Sequence, residues 1–127
     1  MTIADALNRI SQEKPHTMTD GQMKKWLSTL DMKVYEELML KRVPDDHVPP
    51  FFDGYSESTD DMTELLIREP DADDVYVAYL SMQIDQVNQE IADWQNSASR
   101  FAVAFDHYKK KYAREHGQRK THYFTYN

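Results

Sequence analysis

The sequence predicts an all-α fold: a helical bundle of two shorter N-terminal helices and one long C-terminal helix, interrupted in mid-chain by an acidic, proline-containing excursion. Three observations carry that expectation. Between Val77 and Tyr112 the apolar residues recur every three or four positions, as Val77, Leu80, Ile84, Val87, Ile91, Trp94, Ala98, Phe101, Phe105, Tyr108 and Tyr112, which is a helical period. Only three glycines occur in 127 residues, too few for the turns of a β-rich fold or for a phosphate-cradling loop. Hydrophobic residues make up 40% and charged residues 29%, enough for one modest core in a single domain, 1–127, and against wholesale disorder.

The elements follow in order. Thr2 stands where an N-cap belongs, and Ile3, Ala6, Leu7 and Ile10 share one helical face, so a first helix starts there and ends before Pro15. Thr19-Asp20-Gly21-Gln22 has the spacing of a capping box. Met23, Trp26, Leu27, Leu30, Val34 and Leu38 then form one face of a second helix that runs to about Lys41. From Val43 to Asp74 the character changes: Pro44, Pro49, Pro50 and Pro70 punctuate the segment, and eleven acidic residues stand against one base, Arg68. Residues 43–74 read as an extended arm outside the core, with Phe51, Phe52 and Tyr55 apolar enough to dock and 63–67 forming a short strand or an extended piece. The third helix begins between Asp71 and Asp74, whose carboxylates suit the positive end of the helix dipole, while Lys109, Lys110, Lys111 and Arg114 suit the negative end. Gly117 reads as its C-cap, and 118–127 as a tail carrying Tyr123, Phe124 and Tyr126.

A continuous third helix poses a geometric problem. Its stripe spans about 54 Å at 1.5 Å per residue, whereas a compact globule of this length is about 36 Å across. Either the helix breaks, or it protrudes and other chains cover it. A 3.5-residue repeat also drifts about 20° per heptad around a straight helix, which calls for a supercoil or a break, and helix propensity dips at Gln95 to Ser99. We read the helix as continuous, covered by the first two helices from within and by neighbouring subunits over the remainder. Phe101 then serves both core and interface.

Charge separation suggests how such subunits meet. Residues 107–127 hold six Lys/Arg against one Glu, net +5, which leaves −12 for residues 1–106 in a chain of net −7. An acidic surface and a basic end dock head to tail, and such contacts close into a ring when the rotation permits. Lys109, Lys110 and Lys111 are the basic candidates.

Chemistry of other kinds finds little footing. The absence of cysteine removes disulfides, thiolate zinc sites and a cysteine nucleophile, and fits a reducing cytoplasm. The first helix carries Asp5, Asn8 and Arg9 in place of a signal-peptide core, and no segment approaches a membrane span, so a soluble protein made inside a cell is expected. The five histidines lack metal-ligand spacing, and Asp71-Ala72-Asp73-Asp74 lacks the glycine and distal glutamate of a calcium loop. Asp45-Asp46 and Asp60-Asp61 have no apolar shelter to raise a pKa. No catalytic residue, cofactor or metal is expected.

Several residues together suggest a family. Lys14-Pro15 at the end of a short helix, Trp26-Leu27-x-x-Leu30-Asp31, and Glu64-Leu65-Leu66 with Pro70 and Asp73-Asp74 are followed by Tyr79-Leu80-x-x-Gln83-Ile84-Asp85-x-x-Asn88-x-Glu90-Ile91. Asn96-Ser97 and Phe101-x-x-x-Phe105 complete the pattern. This order resembles the head-tail connector, or adaptor, proteins of tailed bacteriophages and prophages, over most of the chain. The resemblance implies a virion structural protein at the head-tail junction, made in the bacterial host cytoplasm. It would be an α-helical subunit of a ring beneath the portal that extends the DNA channel and touches portal and tail-side connector proteins. In that family a mid-chain loop and the C-terminal segment contact neighbours and the portal. Carried over, the contacts here are Phe51, Phe52, Leu65, Leu66 and Ile67, with Tyr123, Phe124 and Tyr126 in the tail. Acidic residues along such a channel would keep DNA from sticking.

A second reading competes. Lys109 to Lys120 interleaved with Tyr108, Tyr112 and Tyr123 would let a small helical regulator contact phosphate and stack on bases. The low pI of about 5.1 and the place of Tyr108 and Tyr112 in the apolar stripe weigh against it.

Overall fold

A computed structural model describes residues 1–117, which are mostly helical, with no β-sheet among them. Helix α1 (Ile3–Glu13) opens on a reciprocal cap: Asp5 N–H donates to Thr2 Oγ1 at 3.1 Å and Thr2 N–H donates to Asp5 Oδ2 at 3.0 Å. It buries Ile3, Ala6, Leu7 and Ile10, the face its spacing predicts. Helix α2 (Asp20–Val34) starts at Thr19, whose Oγ1 accepts the Gln22 N–H at 3.1 Å. At Val34 it widens into a π-helical turn, Tyr35–Met39, closed by Leu40 N–H to the Tyr35 carbonyl at 2.9 Å. Tyr35, Leu38 and Met39 all lie in the core.

The expected rod is two helices, α3 (Asp71–Val87) and α4 (Ile91–Glu115). The break falls at Asn88-Gln89-Glu90, upstream of the expected weak point, and α4 runs unbroken through Gln95 to Ser99. Gln89 takes φ +57°, its N–H donates to the Gln86 carbonyl at 3.2 Å, and the Glu90 N–H donates to the Asp85 carbonyl at 3.0 Å. These two bonds around a left-handed residue make a Schellman stop, which satisfies the last carbonyls of α3 and turns the chain back.

The pairs across the turn establish an antiparallel hairpin: Lys111 Nζ lies 3.1 Å from Asp71 Oδ2, the Tyr79 and Phe101 rings are 5.2 Å apart, and Ser81 and Ser97 hydroxyls meet at 3.1 Å. Folding back lets the stripe cover itself. Val77, Leu80 and Ile84 on one arm and Phe105, Tyr108 and Tyr112 on the other join a single core. Helix α3 sits at its centre, buried without interruption from Val75 to Ser81 and packed on α1, α2 and α4. At the far end His116 caps α4 in an extended conformation, and Gly117 uses its carbonyl to accept the Val43 N–H at 2.7 Å in place of a left-handed cap.

The mid-chain segment is a strap drawn across α1 and α2. An irregular backbone needs partners for its polar groups, and helix side chains supply them. The Tyr35 hydroxyl donates to the carbonyls of Pro49 and Pro50 at 3.2 and 3.1 Å, Ser28 Oγ accepts the Tyr55 N–H at 2.8 Å, and Lys24 Nζ donates to the carbonyl of Thr59 at 2.8 Å. The free amides that start α1 are used as well: Ile3 N–H reaches Thr63 O at 3.0 Å and Ala4 N–H reaches Asp61 O at 2.8 Å. Gly54 takes φ +94° against α2, where a Cβ would lie 2.3 Å from Ser28 Oγ. In place of a strand at 63–67 there is one isolated antiparallel bridge, Thr2 to Glu64. Leu65 and Ile67 point into the core, which corrects the reading of 43–74 as an arm outside it.

Candidate assembly surface

The residues expected at an interface separate into three groups. Leu65 and Ile67 are core residues, and the burial that anchors the strap removes them from any docking face. Phe52 and Leu66 are half-buried against the same core, Phe52 with its ring 5.7 Å from Tyr35 and 5.2 Å from Tyr55. Phe101 is likewise half-buried, packed between Tyr79 and Phe105. Phe51 alone of this set stands clear, at 74% exposure. Tyr123, Phe124 and Tyr126 lie outside the described residues.

The three lysines face carboxylates and rings of their own chain. Lys111 pairs with Asp71, Lys110 Nζ lies 3.0 Å from Asp106, and Lys109 Nζ sits 4.8 Å above the Phe105 ring. With two of its three charges paired to carboxylates, the cluster is a weaker docking charge than its sequence suggests.

The largest departure from expectation is the hairpin tip. Val87 is 52% exposed, Ile91 72% and Trp94 37%, three consecutive members of the stripe left uncovered at the fold. Beside them a cleft of about 390 Å³ is lined by Asp85, Gln86, Gln89, Glu90, Ile91 and Trp94. The tip is tied down from below. Asp85, buried, accepts from Ser97 Oγ at 2.7 Å and pairs with Lys14 at the end of α1, so one carboxylate ties α1, α3 and α4 together just under the exposed turn. Glu90 and Asp93 are exposed at the tip, and no Lys or Arg occurs from Gln86 to Ser99.

A second buried carboxylate holds the strap. Asp31 is fully buried on the apolar face of α2, where it accepts from the Tyr76 hydroxyl at 2.6 Å, the Tyr55 hydroxyl at 2.5 Å and the Leu66 N–H at 3.0 Å. The Tyr76 oxygen in turn accepts the Ile67 N–H at 2.8 Å. Burial pushes the Asp31 carboxyl up to about 6, against the three hydrogen bonds that pull it down. Burial also raises the hydroxyls of Tyr76 and Tyr55 above the usual tyrosine range. At the surface the effect is opposite: the hydrogen bond from Arg9 lowers Asp73, and that from His116 lowers Asp45.

These ionic groups join helices to each other or to the strap. No set of three or more His, Asp or Glu able to hold a metal ion occurs among the described residues. No helix among them is long and apolar enough to cross a membrane. Compared with protein families, curated proteins and solved structures, the chain matches none.

Proposed function

We propose that the chain is a structural subunit of a tailed-phage head-tail connector, an adaptor that assembles as a ring under the portal and carries the DNA channel onward. The observation that supports this most is that the residues behind the family resemblance meet one another as the joints of the fold. Asp31 accepts the N–H of Leu66. Asp85 takes the hydroxyl of Ser97, Asn88 and Glu90 frame the hairpin turn, and Phe101 packs between Tyr79 and Phe105. The pattern, scattered in sequence, falls at two joints of the fold, one around Asp31 and the strap and one around Asp85 under the hairpin. The exposed apolar tip gives such a subunit a place to engage others, and the acidic strap offers DNA a surface it would not adhere to.

Internal pairing of Lys110 and Lys111 speaks against a regulator that grips phosphate through its basic segment. The test is electron microscopy of the purified chain mixed with a tailed-phage portal protein from the same genome. A closed layer of density on the tail-facing side of the portal is the expected result. A portal that stays bare, together with binding of duplex DNA that weakens steeply with salt, would favour the regulator.

A further inference from the structure

We infer that the aromatic stretch of residues 118–127 of one copy docks on the hairpin tip of a neighbouring copy. This rests on the reading that copies sit side by side, and it specifies which parts of them touch. The tip is apolar and acidic: Val87, Ile91 and Trp94 are uncovered, Glu90 and Asp93 flank them, and a cleft opens between. Residues 118–127 are its complement in composition, with Arg119 and Lys120 followed by Tyr123, Phe124 and Tyr126, and no acidic residue. Tyrosine and phenylalanine side chains carry large apolar area with few rotors to freeze, which suits a shallow cleft. Basic residues just ahead of them would meet Glu90 and Asp93 at its rim.

Reach decides between the chain's own tip and a neighbour's. Helix α4 separates Gly117 from Ile91 by its whole length, about 37 Å for the 25 residues of Ile91–Glu115. Phe124 lies seven residues past Gly117, and seven fully extended residues span at most about 25 Å. Tyr126, two residues further on, spans at most about 32 Å, so the three aromatic residues cannot together reach their own tip, and a tip presented by an adjacent copy is the one that can take all three. Three aromatic side chains bury far less than the roughly 1,200–2,000 Å² of a stable pairwise interface, so each contact is weak alone and gains strength by repetition around a ring.

The test uses two full-length chains and one peptide. The receptor is the isotopically labelled full chain carrying Tyr123→Ser, Phe124→Ser and Tyr126→Ser, so that its own tails cannot occupy the site. The ligand is a synthetic peptide of residues 118–127, followed by amide and indole chemical shifts. Expected are saturable shifts confined to 86–95 and the Trp94 indole at peptide concentrations up to about 1 mM, weakened about tenfold or more by adding Ile91→Asp to the receptor. Ile91 is exposed, so this substitution leaves the dispersed spectrum of the fold intact. No shift at the highest concentration, shifts elsewhere on the surface, or equal shifts with Ile91→Asp overturn the inference. Rings that form on the portal equally well with the triple-serine chain would overturn this contact and leave the connector reading standing. Peptide binding by a chain that never seats on a portal would do the reverse.

Discussion

Replacing Asp31 by Asn probes the joint between strap and helices through its dependence on pH. Asp31 is buried without a cation, and its carboxyl is raised from 3.8 to about 6. A carboxyl whose pKa is raised in the folded state holds its proton more tightly there than in the unfolded chain. It favours folding fully below about 3.8, and that contribution is lost as pH rises through about 6. The shift of roughly two units, at about 1.4 kcal/mol per unit, makes the loss about 3 kcal/mol. Asparagine never ionises, and it keeps a carbonyl oxygen for the Leu66 N–H and the Tyr55 hydroxyl. The other carboxylates, including Asp73 and Asp45, titrate alike in both proteins and cancel in the difference. Urea unfolding followed by circular dichroism at pH 4, 5, 6 and 7 is therefore expected to show Asp31→Asn gaining on the wild type by most of that loss, roughly 2–2.5 kcal/mol, across that window. A constant difference over the whole range, or one that moves the other way, would refute the picture of a desolvated carboxylate at the centre of the network.

The remaining predictions concern the hairpin and the strap. Gln89→Gly relieves the left-handed backbone at the turn and is expected to stabilise the fold by about 1 kcal/mol, raising Tm by roughly 3–5 °C; a lower Tm would mean the turn is not the Schellman stop described. Ser97→Ala takes a donor from buried Asp85 and should cost about 1–2 kcal/mol in urea unfolding, with no measurable change as the contrary result. Within the strap, Leu65→Ala should cost about 3 kcal/mol, whereas exposed Phe51→Ser should stay within about 0.5 kcal/mol. Equal effects at the two positions would mean that Leu65 is not in the core.

Helices α1 and α2 are plain in the sequence because their signals are local: Thr2 and Thr19 cap, Pro15 stops, and the apolar spacing marks the buried faces. The hairpin is not, because its turn contains no glycine or proline. Asn88-Gln89-Glu90 reads as helix, and Gln89 is held in a costly conformation by the pairing of Tyr79 with Phe101 and Ser81 with Ser97 across the fold. Those contacts are tertiary. The same pairing explains why the polar run at Gln95 to Ser99 stays helical: Ser97 is there to bond Asp85, and its weak propensity is overridden by the joint it makes. The acidic composition of 43–74 concealed the core residues Leu65 and Ile67, which stand two apart as a buried extended segment requires. Asp31 did leave a trace. It falls four residues after Leu27 and three before Val34, a carboxylate on the apolar face of α2, and such a position requires hydrogen-bond donors from another part of the chain. As for the assembly surface, the stripe named its residues, and only the fold shows that Val87, Ile91 and Trp94 are the ones left exposed.

Everything proposed for the tip depends on the stripe folding back on itself, and one distance measures that. The chain has no cysteine, so Asp74→Cys and Lys110→Cys, both exposed, accept spin labels without competing sites. In the antiparallel hairpin the labels sit on neighbouring helices, about 20 Å apart once label arms are added to an interaxial spacing of 8–10 Å. In a continuous helix they would be about 54 Å apart at 1.5 Å per residue. Double electron-electron resonance on the purified chain should give the short distance; a population at the long one would contradict the hairpin and with it the exposed tip.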